Sequence, residues 1–294
     1  MKFLQKKPGY GIRLQSRGRI LESQRPLVMG ILNVTPDSFS DGGKFHNHEQ
    51  AVQHALEMFE QGADIVDIGG ESTGPGSKDV SVDEELKRVL PVVQMLRQRL
   101  DSQNPAWISV DTYKSDVARA ALDAGADMIN DVTALRGDPE MAQILAEYDV
   151  PVLLMYSKDS TPRTTRDAVQ YDDVVTTVYS FFEDRIAFAT KAGIVRERLL
   201  LDPGMGAFVS GEPKYSLQLL SRLERFLELD LALVVGPSRK SFIGQVLDVP
   251  ISKRLEGSLA ACAVAVTHGA SILRVHDVQE TRRVVDMVHA IMKS

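Results

Sequence analysis

Eight times along this chain a short apolar run ends at a polar or charged residue, and each time a stretch with helical spacing follows. The endings are Asn33 after VMGIL, Glu71 and Thr73 after IVDIGG, Asp111 after WISV, Asn130 and Asp131 after DMI, Tyr156 after VLLM, Asp202 after LLL, Ser238 to Lys240 after LVVG, and Arg274 with His276 after SIL. Parallel strands need helical crossovers of one hand, so eight strand-helix units close naturally into a barrel. The prediction is an α/β chain forming one (β/α)8 TIM barrel. Polar groups at strand ends are costly to leave buried and unpaired, and a shared ligand-filled mouth removes that cost. An open doubly wound sheet would place GxGxxG after its first strand and gather its polar ends at one switch point. This chain does neither.

Residues 1–26 read as a lead-in hairpin of the same domain, punctuated by Gly9, Gly11 and Gly18 and placed to plug the barrel floor, and residues 27–294 as the barrel itself. Strands are expected at 27–33, 64–69, 107–111, 127–131, 151–155, 198–202, 231–236 and 271–275. In the first helix Ala51, Val52, Ala55, Leu56 and Phe59 fall at helical spacing, with Gly62 as its cap. Pro91 sits inside the second helix and predicts a kink. The last three helices are expected near 214–227, 257–268 and 277–292, and the one at 257–268 is apolar nearly all round, so it must be buried in the shell or against a second copy.

Charge and composition narrow the function. A formal net charge of −6 disfavours wholesale nucleic-acid binding, while leaving room for a local basic site for a small anion. The single cysteine, Cys262, excludes an intramolecular disulfide and a cysteine-only metal cage, and reads as a small buried hydrophobe. The basic amino terminus lacks the continuous apolar core of a secretory signal, and no run is long enough to span a membrane. A cytoplasmic enzyme is expected.

The strand ends divide by chemistry. Asn33 offers an amide oxygen to a magnesium ion that keeps most of its waters, or bonds its own backbone as a turn asparagine. Asp111, Asn130 and Asp202, from three strands, could meet on a flat heterocycle rich in donors and acceptors; each could equally cap the helix after it. Arg239, Lys240, Arg274 and His276 follow the last two strands, where many barrels hold phosphate, and the competing reading is surface ion pairing. In the first loop Asp37, Phe39 and Asp41 could serve the site or equally be solvated loop residues, and Phe39 is the harder one to dismiss because an aromatic in so polar a loop usually packs against something.

Seven motifs in order carry a resemblance: MGILNVTPDSFSDGG at 29–43, GGESTGPG at 69–76, ISVDTYK at 108–114, IND at 129–131, LLLDPGMG at 199–206, SRKSFIGQ at 238–245 and RVHDV at 274–278. From about residue 26 onward the chain resembles the dihydropteroate synthase family of folate biosynthesis. The resemblance implies condensation of a dihydropterin pyrophosphate with p-aminobenzoate, magnesium at Asn33, and a dihydropterin held by Thr73, Asp111, Asn130, Asp202 and Lys240. Arg274 and His276, with Asn33, would receive the pyrophosphate. Asp111, Asp202, Lys240, Arg274 and His276 would carry the catalysis. Phe39 and Pro75 would wall the p-aminobenzoate pocket, with Ser241 close by, and the assembly would be a homodimer.

Three departures stand out. Gly74 occupies the place of the family's second-loop arginine, the fifth strand ends in MYSKD where the family carries a histidine-containing stretch, and AFVSG replaces the Gly-Lys after DPGMG. Two other readings follow: a pterin-binding paralogue with weakened catalysis, favoured by Gly74, and a pterin-dependent methyltransferase, disfavoured by the SRK and RVHD cation sets.

Overall fold

The computed structural model describes residues 11–35, 44–100 and 106–294. It opens with an antiparallel hairpin, β1 (Ile12–Ser16) and β2 (Arg19–Ser23). The tight turn needs two left-handed residues, and Arg17 and Gly18 adopt φ 45° and 82°. Eight parallel strands follow: β3 (Leu27–Asn33), β4 (Ile65–Gly69), β5 (Trp107–Asp111), β6 (Met128–Asp131), β7 (Val152–Met155), β8 (Leu199–Asp202), β9 (Ala232–Val235) and β10 (Ile272–Val275). They pair in chain order, and β10 returns to β3 to close the barrel. The connecting helices are α1 (Lys44–Glu60), α2 (Val82–Arg99), α3 (Ser115–Asp123), α4 (Met141–Glu147), α5 (Val174–Lys191), α6 (Pro213–Ser221), α7 (Ser241–Leu247), α8 (Leu255–Thr267) and α9 (Val278–Lys293).

The strand sequences are mostly apolar because both faces are covered. Alternate side chains point to opposite faces. Val28, Leu32, Val66, Ile68, Ile108 and Val110 pack outward under the helices. Leu27, Met29, Ile65, Trp107, Met128 and Leu153 fill the lower lumen. Ile12, Leu14 and Leu21 of the hairpin join that second cluster and plug the floor, as expected. The plug is also tied down by polar contacts: Arg17 Nη1 donates to the Leu122 carbonyl at 2.7 Å, Arg19 Nη2 donates to that of Ala106 at 3.0 Å, and Arg19 pairs with buried Asp127.

Continuing five of the inward columns by two residues changes their chemistry. Ile65 is followed by Asp67 and Gly69, Trp107 by Ser109 and Asp111, Met128 by Asn130, Leu200 by Asp202, and Ile272 by Arg274. The lumen therefore has an apolar floor and a polar upper half. A β-strand period of two is enough to build this division.

One helix runs its expected course and one does not. α2 continues through Pro91, because its buried stripe Val89, Val92, Val93 and Leu96 outweighs the one lost N–H bond. The helix expected near 214–227 breaks at Arg222 (φ −129°, ψ 25°) into α6 and a 3-10 segment, Leu223–Leu229. Leu223, Phe226 and Leu229 are all buried, and a spacing of three presents them on one face only in the tighter helix. Cys262 is fully buried, with its thiol pushed up to about 12 by desolvation, so it is the inert hydrophobe expected.

Candidate active site

Pairing register sets the rim on one side. Asn33 lies beside Gly69, Gly69 beside Asp111, and Asp111 beside Asn130, one layer across four strands. Gly69 leaves a gap in it. A Cβ there would stand 3.8 Å from Asn33 Oδ1 and 4.0 Å from Asp111 Oδ2, so an amide oxygen and a carboxylate oxygen flank one opening.

From β10, the strand beside β3, Arg274 reaches past β3 to the carboxylates of β4 and β5. Its Nε donates to Asp67 Oδ2 at 2.6 Å and its Nη2 to Asp111 Oδ2 at 2.6 Å. Burial works against the Arg274 charge, but Asp67 and Asp111 outweigh it and hold the guanidinium above its ordinary range. Asp111 is itself raised well above the usual carboxylate range, burial outweighing the pull of Arg274, with Asp67 adding to the rise. Asn130 Nδ2 donates to the same Asp67 oxygen at 2.9 Å.

Asp202 completes the carboxylate set at the end of β8. It accepts the Gly204 N–H on Oδ1 at 2.8 Å, and burial pushes it up to about 6. That turn requires glycine: Gly204 has φ 71°, and a Cβ would fall 2.5 Å from the Tyr156 carbonyl oxygen. Lys240, beyond β9, lies with Nζ 4.7 Å from the centre of the Phe208 ring. Desolvation, helped by Arg274, lowers it to about 8 against the opposing pull of Asp202 and Asp111.

His276 stands open at the mouth. Ser238 Oγ is 3.1 Å from its Nδ1 and accepts its backbone N–H at 3.2 Å. Partial desolvation, then Arg274, Arg239 and Lys240, lower it to about 4, so it is neutral at pH 7 in the ligand-free protein. Arg239 does not join the mouth cations. It is left-handed at φ 56° and its guanidinium turns to Asp277, 3.0 Å from Nε to Oδ2, which is the surface ion pairing weighed for this cluster.

The loops after β4 and β7 are strapped together. Buried Glu71 is paired by Lys114, which also pairs with Glu85, and by Arg163, which reaches Asp79 as well. Thr164 N–H donates to the Thr73 carbonyl at 3.1 Å, and its hydroxyl donates to that of Ala207 at 2.8 Å. Thr73 and Pro75 are half-buried in this strapped loop. At Gly74 a Cβ would meet only Ser72 Oγ, at 3.6 Å.

Asp111, Asn130, Asp202, Lys240 and Arg274 thus converge on the upper lumen, with His276 at its edge. Asn33 stands on the rim next to Asp111, exposed. Phe39 lies outside the described residues. Among the described residues no cluster of three histidine, cysteine, aspartate or glutamate side chains could cage a metal. One amide oxygen at an open rim fits only an ion that brings its own waters and gains substrate oxygens, which is the habit of magnesium. Asp67 was not foreseen. The available signal was a carboxylate in the middle of an apolar strand, which is rare unless the charge is paired.

A family model described as pterin binding enzyme matches residues 29–276. An eight-stranded barrel with polar inward ends and this match place the chain among the pterin-binding enzymes. The dihydropteroate synthase of Escherichia coli strain K12 is 47% identical over 283 residues, 96% of this chain and 98% of its own. A solved Xanthomonas albilineans dihydropteroate synthase with 4-aminobenzoic acid superposes with a TM-score of 0.87 at 46% identity, covering 96% of this chain and 98% of that one. A Yersinia pestis dihydropteroate synthase in a sulfonamide drug complex gives 0.87 at 45% identity, covering 96% and 100%. Within that class, the chain belongs to the dihydropteroate synthase family.

Proposed function

We propose that the barrel mouth condenses (7,8-dihydropterin-6-yl)methyl diphosphate with p-aminobenzoate, releasing pyrophosphate and forming 7,8-dihydropteroate. The observation that carries this reading is the convergence of two desolvated carboxylates, Asp111 and Asp202, on the same upper lumen as Asn130, Lys240 and Arg274. A pterin edge supplies N–H donors, and carboxylates held above their ordinary range regain their charge when such donors reach them. Lys240 then donates to the ring, and Thr73 lies on the bordering loop.

At the methylene carbon the C–O bond breaks first and its electron pair leaves with the diphosphate. The amine nitrogen then forms the C–N bond and gives up a proton to solvent. Asp111 and Asp202 favour the positive charge that develops on the pterin, while Arg274, His276 and Asn33 face the departing anion. Magnesium, held at Asn33, would neutralise charge on that leaving group. Phe39 and Pro75 would wall the amine pocket. The strapped β4 loop, anchored through Glu71, limits water entry.

The same reading includes a homodimer in the cytoplasm. A face formed by α6, α7 and α8 exposes Leu217, Val246, Leu247 and Val264 around one apolar groove, a surface suited to a second copy of itself. No helix among the described residues is long and apolar enough to cross a membrane.

Purified protein incubated with the dihydropterin diphosphate, p-aminobenzoate and magnesium is expected to release pyrophosphate and dihydropteroate in equal amounts. Pterin binding without turnover would instead support a weakened paralogue, the reading that Gly74 favours. Methyl transfer from a methylated folate would support the methyltransferase. Asp111→Ala is expected to abolish pterin binding and Phe39→Ala mainly to weaken p-aminobenzoate use; equal, small effects at both positions would contradict this site.

A further inference from the structure

Asp67 has no place in the scheme above, yet it is completely buried in the wall of the pocket. Its Oδ2 accepts two hydrogen bonds, from Asn130 Nδ2 at 2.9 Å and from Arg274 Nε at 2.6 Å. Its Oδ1 has no partner among the described residues.

A carboxylate can only accept. Whichever way an asparagine side chain could be turned on density alone, the end facing an ionised carboxylate must be the NH2. The Asn130 carbonyl oxygen is therefore the end of the carboxamide turned away from Asp67 and left for a ligand. Without Asp67 the carboxamide could turn over at little cost and present a donor where the pterin also presents a donor. The same carboxylate takes one edge of Arg274, leaving Nη2 for Asp111, so one buried group fixes the amide and the cation together.

We infer that Asp67 is a positioning residue for pterin recognition, setting the acceptor face of Asn130 and the pose of Arg274 without contacting the reacting atoms. This rests on the reading of the mouth as a dihydropterin site. It predicts selectivity for ring edges that donate over those that accept, set by a residue buried in the pocket wall.

The test compares wild type with Asp67→Asn, which keeps the volume and removes the fixed polarity. The KM for dihydropterin diphosphate is expected to rise roughly 10- to 100-fold, the range for leaving one buried hydrogen-bonding group mispaired. The KM for p-aminobenzoate is expected to stay within about twofold. In an Asn130→Ala background the Asp67→Asn effect should shrink markedly, since one route of its action is gone. An unchanged pterin KM, additive effects in the double variant, or a parallel loss for both substrates with a lowered Tm would overturn the inference. Should the variant not fold, the side-chain amide protons of Asn130 in 15N-labelled wild type provide the second measurement. At least one is expected to exchange slowly in the ligand-free protein, and fast exchange of both would overturn it. Absence of turnover by wild type would count against the synthase reading instead, and the exchange measurement would still decide this one.

Discussion

Replacing Asp202 by asparagine should make the ligand-free protein more stable while removing its ligand. Burial raises this carboxyl from 3.8 to about 6, the folded state holding it above its unfolded value. A rise of about two pH units, at about 1.4 kcal/mol each, amounts to about 3 kcal/mol of destabilisation once the group is forced to ionise in the empty pocket. The sign follows from linkage: the penalty is absent below about pH 4, grows as pH rises through 6, and is constant above about pH 7. Asparagine keeps an oxygen for the Gly204 N–H, so that bond survives. At roughly 2 °C for each kcal/mol, the variant should melt about 2–6 °C above wild type at pH 8 and within about 1 °C of it at pH 4. Thermal unfolding of both proteins without ligand across pH 4–8, at one scan rate, reads this directly. Titration with a dihydropterin at pH 8 should show binding by wild type only. A lower Tm for the variant at pH 8, or a difference that is the same at every pH, would refute the desolvation argument.

The remaining predictions concern the anion, the loops and the assembly. His276 is neutral in the empty site because its folded-state value is lowered to about 4, so pyrophosphate must bring a proton with it. Calorimetry at pH 6 in two buffers should show proton uptake by wild type beyond the ligand's own, and His276→Gln should lose it. Gly74→Arg fits, because a Cβ there touches only Ser72 Oγ at 3.6 Å and the backbone is not left-handed. Turnover measured by pyrophosphate release should rise roughly 3- to 30-fold, the order of one charge-assisted contact, and a fall would show that the loop needs no cation. Arg163→Ala removes a strap between the β4 and β7 loops, so the KM for p-aminobenzoate should increase several-fold while pterin binding is unchanged. Val246→Asp, at a position 52% exposed on the apolar face, should shift a dimer to monomer in analytical ultracentrifugation, and an unchanged sedimentation coefficient would move the interface elsewhere.

How much of this was readable depends on distance along the chain. Each strand and its polar tip is a local signal, so Asn33, Asp111, Asn130, Asp202 and Arg274 could be placed from their own neighbours, and the hairpin plug from its glycines. Register could not be read, and register is what sets Asn33, Gly69, Asp111 and Asn130 side by side. Asp67 was obscured for the same reason: inside IVDIGG it reads as a blemish, and its partners Asn130 and Arg274 come from strands far along the chain. Arg163 and Glu71 belong to loops far apart in sequence, and no periodicity links them. The 3-10 segment shows a further gap, since burial at every third residue decides against a regular α-helix only when the neighbouring surface is known.

Closure carries a cost in time. Ile272 aligns with Leu27 and Val275 with Gly30, so the circle of strands is sealed by pairing between segments very far apart in sequence. Every shorter portion of the polypeptide has two raw edges able to recruit foreign strands. Joining strands so far apart is intrinsically slow, and any intermediate that waits for it leaves those edges open to association.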